Sequence, residues 1–157
     1  NNINFSNIKL DNVDLVDVIF KNCDLSNQNF DNNLLSRVVF DNCKLLGTSF
    51  VNSSLKDVTF SSSNFKYTNY FGSSLNNIEI IHSDFSNSIF TESKIKNISL
   101  YNSTFNETEF IKTNLKDVDF STCNIERIVF DIGSLKGIKI NALQASDIVS
   151  LFGVQIK

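Results

Sequence analysis

Large apolar residues recur at every fifth position of this chain, from Phe5 to Ile140, without interruption. All 28 positions in this series are apolar: 13 are Phe, 10 are Leu, 4 are Ile and one is Tyr70. A second series, two residues earlier, holds small or β-branched residues almost throughout, with Gln28 and Asn33 as exceptions. A period of five matches neither the 3.6-residue period of a helix nor the alternation of a strand. It predicts a short extended segment followed by a corner.

The remaining positions of each pentapeptide are mainly Asn, Asp, Ser, Lys and Thr. Asn, Asp and Ser favour turns because their short side chains bond to nearby backbone groups. We therefore expect the large residue and the small one before it to point inward, as in a strand, while the polar pair turns the corner. Four such sides close a square, and stacked squares pair their backbones at the strand spacing of about 4.8 Å.

Residues 20 positions apart are also sorted by type. One column is aliphatic, and comprises Leu15, Leu35, Leu55, Leu75, Ile95, Leu115 and Leu135. Another is almost entirely aromatic, and comprises Leu10, Phe30, Phe50, Tyr70, Phe90, Phe110 and Phe130. A plain five-residue repeat has no reason to separate Leu from Phe, whereas each side of a square coil has its own packing volume. The pattern predicts an all-β, four-sided solenoid over residues 1–140, with about seven coils of 20 residues.

The repeat resembles that of the pentapeptide-repeat family, whose consensus is A-(D/N)-L-x-x. It appears here as Cys23–Asn27 (CDLSN), Thr113–Asp117 (TNLKD) and Val118–Thr122 (VDFST), although Ala is seldom the small residue. The resemblance covers residues 3–140 and implies a right-handed quadrilateral β-helix without catalytic activity.

The repeat stops after Ile140, and a different pattern follows. Asn141 is a favourable helix N-cap, and Ala142–Leu151 is predicted to form a short helix that Gly153 ends. Its apolar face at helical spacing comprises Ala145, Ile148, Val149 and Phe152. We expect residues 141–157 to cap the open end of the coil.

Residues 135–154 resemble the C-terminal module of the quinolone-resistance members of the family. In that subgroup the module caps the coil and joins two subunits end to end. The resemblance implies a homodimer whose interface comprises Leu151, Phe152, Val154 and Ile156. A monomer with a hydrophobic cap is the alternative.

The sequence indicates no catalytic or cofactor chemistry. His82 is the only histidine, and no acid or nucleophile stands at a useful spacing from it. Cys23, Cys43 and Cys123 share one inward column, where Cys serves as a small apolar filler. We expect free thiols in a reducing cytoplasm, no metal site and no membrane span, because no run approaches about 20 apolar residues.

Two outward features stand out against the polar corners. The first is an apolar group on one side, comprising Val51, Phe71, Ile89, Ile111 and Val129. The second is a basic group on another side, comprising Arg37, Lys56, Lys94, Lys96, Lys116 and Lys136. Outward apolar residues mark an interface or are simply favourable in strands, and the basic group is interpreted as a solvated face.

Two functions follow as hypotheses. The family resemblance implies a DNA mimic that binds a type II topoisomerase, DNA gyrase, and modulates or protects it. The alternative is a general protein-interaction scaffold of unknown partner, the common role of solenoids. The formal net charge of −3 is too small to indicate direct nucleic-acid binding.

Overall fold

The computed structural model describes residues 1–155, whose backbone winds as the five-residue pattern predicts. It is a parallel β-solenoid of about six turns with one short helix near its C-terminus. Residues 20 positions apart lie side by side, so that Leu15 pairs with Leu35 and Leu35 with Leu55. The four-sided, all-β prediction is therefore confirmed.

Five strands form one parallel sheet in sequence order. They are β1 (Leu15–Lys21), β2 (Leu34–Asp41), β3 (Ser54–Ser61), β4 (Ser74–Ile81) and β5 (Lys94–Tyr101). The short strands β6 (Glu109–Phe110) and β7 (Val129–Phe130) pair on another side, where isolated bridges such as Asn29–Ser49 continue the ladder. Each of β1 to β5 covers two adjacent sides of the square, because the strand runs on through the corner between them.

The predicted columns form the core. The aliphatic side has Leu35, Leu55 and Leu75 at its centre, all essentially inaccessible to solvent. On the aromatic side, the six rings from Phe30 to Phe130 stack on one another. The centroid of the Tyr70 ring lies 4.8 Å from that of Phe50 and 4.5 Å from that of Phe90. The coil spacing therefore equals the distance at which aromatic rings pack well.

Buried hydroxyls on the aliphatic side bond to the backbone, as buried polar groups must. The Ser73 hydroxyl donates to the carbonyl oxygens of Phe50 (3.0 Å) and Tyr70 (2.5 Å), and the Ser93 hydroxyl donates to the Tyr70 carbonyl at 2.7 Å. The hydroxyls thereby tie successive coils together from inside.

The corner residue two positions after a central residue adopts a left-handed conformation with positive φ in most of the coils. Among residues 1–155, 22 non-glycine residues have positive φ, and 14 of them are Asn or Asp. These two residue types tolerate this region best among L-residues with side chains. The abundance of Asn in this sequence is therefore a requirement of the corner.

Two kinds of corner occur, and one side chain distinguishes them. Where the residue before the central one is Asn or Asp, its side chain usually accepts a hydrogen bond from the backbone two residues on. Asp24 accepts from the Ser26 N–H (3.1 Å) and Asn64 from the Lys66 N–H (3.1 Å), and both segments form turns. The corresponding residues of β2 to β5 on the aliphatic side are Leu34, Ser54, Ser74 and Lys94, and there the strand continues through the corner.

Gln28 and Asn33, the two exceptions among the small inward residues, are both buried. The Gln28 amide donates to the carbonyl oxygens of Phe5 (3.0 Å) and Ile8 (2.9 Å), and the Asn33 amide donates to that of Val13 (3.2 Å). The acceptor carbonyls belong to the coil that precedes these residues. The side-chain amides bond to that coil in place of backbone ladder bonds, which it does not make here.

Helix α1 (Ala142–Leu151) begins at Asn141, as predicted. The Asn141 side chain accepts from the Leu143 and Gln144 N–H groups, while the Gln144 side chain accepts from the Asn141 N–H, which completes a capping box.

The predicted apolar face of α1 is only partly correct. Ile148 is buried, whereas Val149 and Phe152 are substantially exposed. The inward position near the start of the helix belongs to Gln144, whose amide donates to the carbonyl oxygens of Phe120 (2.8 Å) and Cys123 (2.7 Å). These bonds fix the rotation of the helix, so hydrogen bonding to the last coil decides which residues face inward.

Candidate interaction surfaces

The apolar stripe (Val51, Phe71, Ile89, Ile111, Val129) lies on the outer surface of the aromatic side. Phe71 is 39%, Ile89 37% and Val129 42% exposed, while Val51 and Ile111 are half-buried. Bridges from Ile89 to Glu109 and from Glu109 to Val129 place three residues in one row along the solenoid. All five residues of the predicted group therefore share one side.

Polar residues frame the stripe, and one aromatic residue extends it. The Glu109 carboxylate accepts a hydrogen bond from the Thr91 hydroxyl. Tyr67, 59% exposed, lies at the corner that leads into this side. Tyr67 is not among the residues predicted from the sequence, although an aromatic residue at a corner position that usually holds Asn is the signal that identifies it.

Charged residues of opposite sign pair between neighbouring coils. The pairs are Lys21–Asp41 (3.0 Å), Arg37–Asp17 (2.5 Å), Lys66–Asp84 (3.1 Å), Lys112–Glu92 (2.9 Å) and Arg127–Glu107. The hydrogen bond from Arg37 lowers the pKa of Asp17. Glu92 and Glu107 are thus each paired with a basic residue one coil further on. Each of these five carboxylates therefore lies beside a positive charge of a neighbouring coil.

The basic group is divided in the same way. Arg37 forms an ion pair with Asp17. The remaining lysines of the column project from the aliphatic side: Lys56, Lys96, Lys116 and Lys136. Lys94 lies on the same side, two residues before Lys96. All five lysines are exposed.

His82 lies on a polar groove of about 650 Å³ that follows one corner of the solenoid. Its wall is a stack of corner residues: Asn22, Asn42, Ser62, His82 and Asn102. The His82 ring packs edge-on against Tyr101 with centroids 5.5 Å apart. The thiols of Cys23 and Cys43 lie beneath the groove, and burial raises the pKa of Cys43, which keeps it protonated and a poor nucleophile.

The C-terminal end is apolar and open. Leu151 is 49%, Phe152 48% and Val154 52% exposed. These are three of the four residues expected at a dimer interface; the fourth, Ile156, lies outside the described residues.

No group of three or more His, Cys, Asp or Glu side chains in residues 1–155 is arranged to hold a metal ion. Within the same residues, no helix has the length and apolar character needed to cross a membrane.

The repeat, its corners and its stacked core define a class of protein, and comparison with family models gives the same class. A model of the pentapeptide repeat region matches residues 13–84, and a model of eight pentapeptide repeats matches residues 89–127. Together they cover more than half of the chain, which belongs to the pentapeptide-repeat family.

Several solved structures are similar over most of this chain. Trypsin-treated QnrB1, a plasmid-mediated fluoroquinolone resistance protein, is 17% identical with a TM-score of 0.42, over 99% of each chain. Rfr23 from the cyanobacterium Cyanothece 51142 is 14% identical with a TM-score of 0.34, over 80% of this chain and 90% of its own. HetL from Nostoc sp. strain PCC 7120, involved in heterocyst differentiation regulation, is 11% identical with a TM-score of 0.34, over 83% and 88%. No curated protein matches the chain.

Proposed function

We propose that this protein is a non-catalytic binding rod whose protein partner docks on the apolar stripe and Tyr67. The observation that carries the proposal is the exposure of Phe71, Ile89 and Val129 together on one side of the solenoid. Exposed apolar groups gathered on one face and rimmed by polar residues favour a protein interface. Tyr67 and Phe71 are aromatic, the type that most often anchors such interfaces.

A binding role is also favoured by what the core and the grooves can do chemically. The four inward columns fill the interior with stacked rings and aliphatic side chains, which leaves little space for a substrate. The groove at His82 is lined by amides and hydroxyls that can hydrogen-bond a ligand. No nucleophile paired with a base is found there among the residues described.

The stripe is tested with a serine variant and a matched control. Phe71→Ser with Ile89→Ser removes the two apolar residues at the centre of the stripe. Val16→Ser with Ile19→Ser removes two apolar residues that are more exposed, 45% and 69%, on other sides. Equal thermal unfolding temperatures would show that both variants fold.

A partner isolated on the immobilised protein and then purified should bind the control variant as it binds the wild type. It should bind the stripe variant at least about tenfold more weakly, a loss of roughly 1.4 kcal/mol. Equal affinity for all three proteins would refute docking on the stripe.

DNA gyrase is the second candidate partner, favoured by the resemblance of residues 135–154 to the quinolone-resistance module. Mimicry of a phosphate backbone requires a sustained negative surface, and the five ion pairs between coils work against it. Gyrase supercoiling assays with and without ciprofloxacin test this candidate. Absence of any effect at micromolar protein would eliminate it.

We further propose that the C-terminal end joins two subunits through Leu151, Phe152, Val154 and Ile156. The exposure of the first three supports this, because an unpaired apolar end is costly in water. Light scattering coupled to size exclusion should give twice the chain mass for the wild type and the chain mass for Phe152→Glu. A monomeric wild type would contradict the proposal.

A further inference from the structure

The parallel ladder is interrupted between β5 and the following coil, along residues 114–121. On the near side of β5, the Lys94 N–H donates to the Ser73 carbonyl at 2.8 Å. The equivalent bond on the far side would join the Asn114 N–H to the Ser93 carbonyl, and it is missing from the described residues, as are the other backbone bonds between Lys94–Tyr101 and residues 114–121. We call this gap the seam.

Burial shows that the seam opens the core. Ile95, Ile98 and Leu100 of β5 are only partly buried. Their counterparts one coil earlier, which are Leu75, Ile78 and Ile80, are 0%, 2% and 0% exposed. A cleft of about 330 Å³ lies between β5 and the next coil, lined by residues 95–98, Asn114 and residues 116–118.

The sequence contains a local cause for the seam. Asn114 accepts a hydrogen bond from the Lys116 N–H (3.0 Å), and Asp119 accepts one from the Ser121 N–H (2.9 Å). This coil therefore makes turn corners where β1 to β5 run straight on, and the two conformations do not pair. Lys96 and Lys116 are also at equivalent positions of adjacent coils, where like charges oppose pairing.

On either side of the interruption the ladder is regular. The Glu92 N–H donates to the Ile111 carbonyl (2.9 Å), and the Phe105 N–H donates to the Asn124 carbonyl (2.7 Å). The seam is thus confined to two adjacent sides, and the coil is held in place by the other two. β5 therefore has an open hydrogen-bonding edge.

We propose that the seam accepts one extended segment of a partner protein, which adds to the free edge of β5 as a parallel strand. Open strand edges bind extended peptides through backbone hydrogen bonds, while side-chain pockets select the sequence. Inward residues of the segment would be apolar, since they meet Ile95, Ile98 and Leu100. The segment would carry glycine or asparagine opposite Asn97, because β5 has a left-handed backbone there, with a φ of 54°.

Charge selects the outward residues of the segment. On the aliphatic side it passes Lys94, Lys96 and Lys116, which favours acidic side chains. On the next side it passes Ser99 and Asp119, which favours neutral polar ones. The occupant is therefore an extended segment whose first half is acidic. The seam lies away from the apolar stripe, so binding here goes beyond the docking proposed above and can fail independently of it.

The probe is a synthetic peptide of eight residues, the length of β5: Glu-Val-Glu-Gly-Val-Thr-Val-Thr. The control peptide replaces both glutamates by lysine. The acidic peptide should bind at least about tenfold more tightly than the lysine peptide, and it should slow hydrogen exchange of the Ile95 and Leu100 amides. Equal affinities, or exchange that does not respond to the peptide, would overturn the proposal.

Two protein variants complete the test. Asn114→Ser with Asp119→Ser replaces both side chains by serine, a weaker acceptor that stands at the position equivalent to Asn114 in β3 and β4, and should close the seam, protect the β5 amides and abolish peptide binding. Asn64→Ser with Asn124→Ser makes the same replacement at two turn corners on another side, and should leave binding unchanged. If the first variant binds the peptide like the wild type, the proposal is wrong.

A charge-reversed variant keeps the test decisive even if the closed variant does not fold. Lys96→Glu with Lys116→Glu alters exposed side chains only, and it should reverse the preference so that the lysine peptide binds more tightly. An unchanged preference for the acidic peptide would refute charge selection at the seam.

Discussion

At the scale of the residue, the corner conformation explains much of the composition. A left-handed backbone disfavours most side chains, and this sequence meets the requirement chiefly with Asn and Asp. Tyr67, Arg37 and Arg127 occupy the same conformation without that advantage. Such residues are candidates for roles beyond folding, because strained backbone persists where something else depends on the side chain.

Tyr70 is the residue whose chemistry fits its place least well. Its ring is stacked between Phe50 and Phe90, but within the described chain its buried hydroxyl oxygen has no hydrogen-bond partner. Burial raises the pKa of this phenol. A buried polar group without a partner costs about 1–3 kcal/mol.

Tyr70→Phe should therefore raise the free energy of unfolding by about 1 kcal/mol. The substitution removes only the hydroxyl and matches the residues above and below in the stack. Urea denaturation followed by circular dichroism measures the change. The reverse substitution in the same column, Phe50→Tyr, serves as the control and should destabilise. A lower midpoint for Tyr70→Phe would show that the hydroxyl is satisfied in solution.

At the scale of the element, helix α1 is attached to the last coil by one interlocked set of hydrogen bonds. Asn141 caps the helix and its amide also donates to the Ser121 carbonyl at 2.8 Å. Gln144 completes the capping box and bonds to the coil. Capping and docking of this helix are therefore one event.

Asn141→Ala should destabilise the C-terminal end by about 1–2 kcal/mol, the upper part of the range for a lost N-cap. Hydrogen exchange of the α1 amides, compared with that of the β3 amides, measures the effect locally. Ser146→Ala is the control, since its hydroxyl bonds only within the exposed part of the helix. An unaltered exchange rate in α1 would mean that the cap contributes nothing to docking.

At the scale of the whole molecule, stability should be unevenly distributed along the stack, because each coil of a solenoid contacts only its neighbours. The Phe85 ring packs against five others in adjacent coils and sides: Phe60, Phe65, Tyr70, Phe90 and Phe105. Phe130, in the last coil, is only partly buried.

Phe85→Ala should lower the free energy of unfolding by about 3–5 kcal/mol, as expected for a large ring removed from a packed core. Phe130→Ala should cost clearly less, because part of its ring already faces solvent. Thermal and chemical unfolding of the two variants test the difference. Equal costs would indicate that the stack unfolds without regard to position.

Most of the fold was predictable from the sequence because its information is local and repeated. The apolar residue at every fifth position fixes which side chains point inward, and the sorting of Leu and Phe over 20 residues fixes how the coils stack. The helix start at Asn141 was predictable for the same reason, since a cap is a short-range signal. The register of the repeat also predicts that Val51, Phe71, Ile89, Ile111 and Val129 lie on one side.

Only the tertiary structure decided those features in which two possible hydrogen bonds compete for the same backbone group. Whether a corner is a turn or a continuing strand depends on whether a side chain such as Asn114 takes a backbone N–H from the ladder, and the seam is the result. Gln144 faces the core because two carbonyl groups of the last coil were free to accept its amide. The acids became paired because bases stood one coil away. The period by itself thus determines the solenoid, whereas its open edge and exposed ends depend on which partner each polar group finds in three dimensions.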